Sequence, residues 1–425
     1  MKLLIKNGRV IDPANNLDEI CDLLIEDGKI AKIAKNIPTN GKEKIDASGK
    51  IVLPGLVDMH VHLREPGRED KETVASGTRA ALKGGVVSLL AMPNTEPAMD
   101  SPENIELLKD IIARSASAHV FIVGAITRGR QGKELIEMGK LKKSGAIAFS
   151  DDGFPVDSEA LMQEACKVAQ GEKTLLICHC EDRKLTCGGV VNLGFTSTRM
   201  GLKGISRDSE YKIVRRDIEL AEKTGARIHI AHVSCAESVG IIAKAKKKGV
   251  SVTAETAPHY FSLHEESVLN YDSNFKMNPP LRGKEDVAAI KQGLADGTID
   301  VIASDHAPHT ENEKEIEFER AEFGVIGLET ELAVSIGALV CPGILTWPEL
   351  VKKLALNPAK ILGLDKGSLS IGADADVIIV SPDSVWIVEK SGLISKSKNS
   401  AFLGRQLQGV VEYTICSGKI VYKLE

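Results

Sequence analysis

Short runs of β-branched and other apolar residues recur along the chain, separated by stretches with helical spacing. The runs are LVDMHVHL (56–63), VVSLLAMPN (86–94), VFIVGAIT (120–127), AIAFSDD (146–152), TLLICHC (174–180), RIHIAHVS (227–234), VSVTAET (250–256) and DVIASDH (300–306). Amphipathic segments such as IELLKDIIARS (105–115) and IVRRDIELAEKTG (213–225) lie between several of them. Strands alternating with helices argue for a parallel sheet, because a parallel connection needs a crossover of helix length. Eight such units predict a closed (β/α)8 TIM-type barrel. An open doubly wound sheet is the competing architecture, but no Gly-rich phosphate loop follows the first strand.

The barrel delimited in this way spans 54–360. Both flanks, 1–53 and 361–425, read as β. The first contains KLLIKNGRVID and DLLIEDGKIAKIA, with turn signals at Asn7-Gly8 and Asp27-Gly28. The second contains ADVIIVSP, VWIVEK and VVEYTICSGKIVYK, with a turn signal at Ser417-Gly418. Neither flank is long enough to bury a comfortable core alone. The two chain ends are therefore expected to meet in one small β-sandwich domain beside the barrel.

Composition narrows the class. The 425 residues exceed the roughly 250 of a plain barrel, and the flanks and mouth loops absorb the surplus. With 43% hydrophobic and 27% charged residues the chain reads as globular, and a net charge of −5 argues against a nucleic-acid partner. The apolar run at residues 3–5 is too short for a signal peptide, and no window approaches the length of a membrane span. The eight Cys lack small-scaffold spacing, so reduced thiols and a cytoplasmic location are expected.

The chemistry concentrates at the ends of the predicted strands. On the first strand, period-2 alternation puts Asp58, His60 and His62 on one face and Val57, Met59 and Val61 on the other. With the apolar set toward the helices, the His pair points into the barrel at the C-terminal end, where barrel active sites lie. His179, His232 and Asp305 end strands five, six and eight, and Asp151 and Asp152 end strand four. The same alternation turns Cys178 and Cys180 away if His179 points in, and His229 away if His232 points in. Imidazoles and carboxylates without thiolates suit zinc, and also manganese, iron, nickel or cobalt. Six ligands are too many for one tetrahedral ion with an open position and suit a two-metal centre. A metal lowers the pKa of bound water to about 7, and Asp305 is placed to carry a proton from that water to a leaving nitrogen.

Several segments carry a resemblance. PGLVDMHVHLREPG (54–67) resembles the opening barrel strand of the cyclic amidohydrolases. MPNTEPAMD (92–100), AFSDDG (148–153), CHCED (178–182), IAHVS (230–234), MNPPLR (277–282), SDHAPHT (304–310) and FGVIGLET (323–330) are similar to successive motifs of the dihydroorotases, most closely the class I bacterial type. KNGRVIDP and GSLSIGADADVIIVSP (367–382) resemble that family's small β domain, so the likeness runs through the whole chain.

The resemblance implies a zinc-dependent enzyme that interconverts N-carbamoyl-L-aspartate and L-dihydroorotate in pyrimidine synthesis. It implies hydroxide attack on the amide carbonyl, with Asp305 as general acid/base. It implies His60 and His62 as ligands of one zinc, His179 and His232 of a second, Asp152 as the bridge and Asp305 as a further ligand, with one or two ions bound. Related hydantoinases place a carboxylated Lys where Asp152 stands. His62, Arg64, Asn94, Asn278, His309, Phe323 and Gly324 are implied substrate contacts, and the planar Arg64 fork suits a carboxylate. His259 reads as structural, His306 as facing away, and His119 and His264 carry no signal. Residues 311–322 read as a solvated charged segment or as a mobile cover over the substrate, and 127–135 as a solvated loop. Cys235 stands where Thr is more usual in the family. A homo-oligomer and association with aspartate transcarbamoylase are expectations from the family alone. The competing functions are a hydantoinase or allantoinase and a non-catalytic scaffold; the full ligand set argues against the last.

Overall fold

The computed structural model describes residues 2–39, 41 and 43–425. All eight predicted strands form: β1 (Leu56–Val61), β2 (Val86–Ala91), β3 (His119–Gly124), β4 (Ala146–Phe149), β5 (Leu175–Cys178), β6 (Arg227–Ile230), β7 (Val252–Thr256) and β8 (Val301–Ile302). Each pairs in parallel with the next. Just beyond the strand ends the ring is drawn together by a parallel bridge between Val61 and His306, where His62 N donates to His306 O at 2.9 Å. Asp58 staples the same seam. Its buried carboxylate accepts from Ser304 N at 3.2 Å and from His60 N at 3.0 Å, and burial pushes its pKa up to about 6. The amphipathic segments are helices, including Pro102–Ser115, capped by the Ser101 hydroxyl, and Asp208–Thr224, closed by Gly225 in the left-handed region.

The chain ends do meet. Strand Ile51–Pro54 pairs antiparallel with Val377–Ile387 and parallel with Lys2–Asp12, joining both flanks in one sheet that runs from Lys419–Lys423 to Lys29–Ala34. Asp27-Gly28 and Ser417-Gly418 form tight hairpin turns, each with both residues at positive φ. Asn7-Gly8 does not. It lies inside the continuous strand Lys2–Asp12 as a bulge, where the register with Leu17–Glu26 shifts between Ile5 and Gly8. Close packing requires glycine at that point, since a Cβ on Gly8 would lie 2.5 Å from Val52.

Strict alternation fails on β1. Met59 does not face the helices: it packs with Leu90, Val123, Ala148, Ile177, Ala231 and Val301, a cluster drawn from residues on and just after the barrel strands. The register between β1 and β2 shifts between Asp58 and Val61, which breaks the period of two. On β6 alternation holds, and it turns His229 inward, not away, with Nε2 3.1 Å from Glu255 on β7, while Ile228 and Ile230 pack in the helix-facing core. His232 reaches the same interior because β6 has ended and His232 turns the chain at φ 35°. No helix among the described residues is long and apolar enough to cross a membrane.

Candidate active site

At the C-terminal mouth of the barrel, six side chains from five strand ends converge, with Asp152 at their centre. Its Oδ1 lies 3.3 Å from His60 Nε2 and 3.5 Å from both His179 Nδ1 and His232 Nε2. Its Oδ2 lies 3.4 Å from His62 Nε2. Asp305 Oδ1 sits 3.5 Å from His62 Nε2 and 3.7 Å from His60 Nε2. All six residues are buried. Asp151 turns the other way, accepting from Ile126 N, Thr127 N and the Thr127 hydroxyl, so the pair Asp151-Asp152 divides between loop anchoring and the centre.

Backbone conformation aims these groups. Arg64, His232 and Asp305 all have positive φ (62°, 35° and 48°), a region L-residues adopt at a cost of about 1–3 kcal/mol each and one concentrated at functional sites. The turn each makes lets a side chain point inward immediately after its strand ends.

The arrangement fits a cation. His60 Nε2 and Asp152 Oδ1 are buried and make no hydrogen bond, a state that costs free energy unless something positive lies between them. His179 Nδ1 and His232 Nε2 are only 2.8 Å apart. His60, His62 and Asp305, and separately His60, Asp152 and His232, each bring ligand atoms within 4.8 Å of one another. Burial opposes charge on Asp152, but the surrounding imidazoles hold its carboxyl well below the usual range. Burial likewise opposes a cationic His60, yet Asp152 and Glu255 raise it well above its ordinary value.

Two further groups orient the candidate ligands. Glu255 Oε1 lies 2.6 Å from His60 Nδ1 and its Oε2 lies 3.1 Å from His229, so Nδ1 of His60 donates to Glu255 and Nε2 is the nitrogen turned to the centre. Asn94 Oδ1 accepts from His62 Nδ1 at 2.8 Å and directs that ring in the same way, leaving the Asn94 amide to donate. Sequence reasoning missed Glu255. Its signal was a lone carboxylate near the end of an otherwise uncharged strand. Glu181, in CHCED, was also missed; it accepts from Asn278 Nδ2 at 3.1 Å and lies 3.5 Å from His179 Nε2.

A cavity of about 250 Å³ opens directly onto this cluster. Arg64, Asn94, Asn278, His309, Phe323 and Gly324 all line it. Arg64 donates to Pro308 O at 3.2 Å, and its Nη2 lies 3.3 Å from His309 Nε2. His306 faces away, toward Glu72 and Gly327 N. His119, which carried no signal, sits at the junction with the terminal sheet, within 3.3 Å of Asp376.

The reading of 311–322 as simply solvated is corrected. Lys314, Phe318 and Ala321 are buried. Lys276 donates to the carbonyls of Phe318, Glu319 and Ala321, and Lys314 to those of Lys276, Glu322 and Gly324. Two ammonium groups thus fasten the segment that delivers Phe323 and Gly324 to the cavity. In the 127–135 loop, Arg130 donates to Asp152 O at 2.5 Å, so this loop also backs the centre.

Comparison with known proteins agrees with this geometry. The family model described as dihydro-orotase-like matches residues 49–238. The dihydroorotase of Elusimicrobium minutum is 53% identical over 425 residues, covering 100% of this chain and 98% of that protein. That of Pelotomaculum thermopropionicum is 52% identical over 99% of this chain and 98% of its own. Among solved structures, the L-hydantoinase (dihydropyrimidinase) of Arthrobacter aurescens superposes with a TM-score of 0.90 at 25% identity, covering 99% of this chain and 96% of that one.

Proposed function

The chain belongs to the dihydroorotase family of cyclic amide hydrolases, and from that premise we propose how its own residues carry out the reaction. The activity is the reversible closure of N-carbamoyl-L-aspartate to L-dihydroorotate with loss of water. The observation that carries the reading is the placement, in one cavity, of a metal-binding cluster at the barrel mouth and a cationic Arg64 beside His309.

The metal is zinc, held by His60, His62, Asp152, His179, His232 and Asp305. Six ligands with Asp152 touching both halves of the set fit two ions. When bound, zinc lowers the pKa of water to about 7 and polarises a carbonyl. Asp305 is the general acid/base. Its Oδ1 takes the proton released as water adds to the ring amide and returns it to the ring nitrogen as the C–N bond breaks. Burial would raise its pKa, but His62, His60 and His232 keep it low, so it starts as the base.

The α-carboxylate survives in both directions and needs a standing partner. Arg64, pulled by burial only to about 10, stays cationic at neutral pH and offers its fork. The Asn94 and Asn278 amides and His309 complete that end, and Phe323-Gly324 cover the ring and exclude water.

The test is zinc stoichiometry measured together with kcat/KM on dihydroorotate, hydantoin and allantoin. Two zinc ions per chain and a strong preference for dihydroorotate are expected. A preference for hydantoin or allantoin would overturn the substrate assignment, because those rings lack the carboxylate that Arg64 is placed to hold.

A further inference from the structure

Two arginines at the rim of the cavity have no carboxylate paired to them. Arg130, in the loop after β3, and Arg183, in the segment after β5, both lie over the ring of Phe154, their guanidinium carbons 5.2 and 4.2 Å from its centroid. Phe154 is 42% exposed, so the stack faces solvent. Its place at the rim follows from Gly153, which lines the cavity: a Cβ built there would lie 3.8 Å from Arg130 Nη1. Glu181, two residues before Arg183, accepts from Asn278, which lines the cavity as well.

Arg68, Arg207, Arg216 and Arg282 pair with carboxylates at 2.8 to 3.5 Å. Among the described residues, the Arg183 guanidinium makes no ion pair and donates no hydrogen bond. Arg130 donates from Nη1 to Asp152 O at 2.5 Å, while its Nε is buried without a partner. Burial disfavours the charge on Arg130, and Asp152, Asp151 and Glu96 offset part of that. Stacking on a ring occupies the face of a guanidinium and leaves its in-plane N–H groups free to meet a carboxylate.

We propose that Arg130 and Arg183 form an outer capture site for carboxylates, which favours the open-chain dianion over the ring monoanion on the way into the cavity. The inference rests on the function proposed above, in which carbamoyl aspartate carries two carboxylates and dihydroorotate one. The rim acts before Arg64 takes the surviving carboxylate and touches no reacting bond. Attraction to a fixed charge scales with the charge of the ligand, so each unit of rim charge weighs twice as heavily on the dianion.

Charge variants of Arg183 in the full-length, zinc-loaded enzyme test this, with KM read in both directions. The ratio of kcat/KM in the two directions is the equilibrium constant of the reaction, which no variant changes, so the two KM values carry the information. Arg183→Gln should raise KM about twofold for dihydroorotate and about fourfold for carbamoyl aspartate. Arg183→Glu changes the charge by two and should raise them about fourfold and about sixteenfold, while Arg183→Lys keeps the charge and should leave both near the parent values. The differences should shrink at about 1 M salt, where the Debye length is about 3 Å. Unchanged KM values, equal rises for both substrates, rises that ignore the charge at 183, or rises that salt does not reduce would each overturn the proposal. If the parent protein turns over neither compound, the functional reading itself fails, and the unmutated enzyme reveals this. Arg183 is exposed, so unfolding temperature and zinc content should match the parent in every variant.

Discussion

Glu255 Oε1 lies 2.6 Å from His60 Nδ1, although 195 residues separate the two in the chain. Both are fully buried. A carboxylate behind a ligating imidazole fixes its tautomer and raises its basicity. Glu255→Gln should therefore weaken zinc binding by roughly 10–100-fold. Chelator competition measures this directly, and unchanged metal affinity would remove Glu255 from the centre.

Asp305 should separate chemistry from folding. Asp305→Asn keeps the shape of the side chain and removes its ability to cycle a proton. Turnover should fall by about 10²–10⁴-fold with the unfolding temperature nearly unchanged. Near-normal turnover would assign the proton transfer to another group.

Gly324 is required by its surroundings. Its φ is 126°, and a Cβ there would meet the Ala307 Cβ at 2.7 Å and His309 Nε2 at 3.2 Å. Gly324→Ala should displace the covering segment from His309 and raise KM for dihydroorotate by about tenfold, matching a strain of about 1–3 kcal/mol. A crystal structure of the variant with an unmoved His309 and a normal KM would contradict this.

His119 links stability to pH. Its hydrogen bond to Asp376, reinforced by Cys416, raises its pKa from 6.5 to about 9. Lys366 also donates to Asp376, at 2.8 Å, and lies 3.1 Å from His119 Nε2, so two cations share that carboxylate. A raised pKa means the folded state holds this proton more tightly than the unfolded chain. The contribution is complete below about pH 6.5 and is lost as pH rises through about 9. Denaturant unfolding across that window should show stability falling in the parent protein and a flatter profile in His119→Asn. Identical profiles would place the pH dependence elsewhere.

The barrel and its ligand-bearing strand ends were legible because they depend on local patterns. Eight apolar runs alternated with amphipathic helices, and His or Asp recurred where those runs stopped. The direction of individual side chains was less legible. Met59 and His232 both departed from strict alternation, one at a register shift and the other just past a strand end, at positive φ. Neither irregularity has a mark such as Gly or Pro at the position itself.

The sequence by itself determined the architecture, the joining of the two ends and the family. These follow from hydrophobic period, turn dipeptides and short motifs whose parts lie within a few residues of one another. Only the tertiary structure decided which groups support the site. Lys71 reaches His309 across 238 positions, Asn399 reaches it across 90, and Glu255 lies on a different strand from His60. Such partners are chosen by where the closed barrel and the returning C-terminal segment bring backbone and side chains within hydrogen-bond distance. No periodicity along the chain encodes that distance.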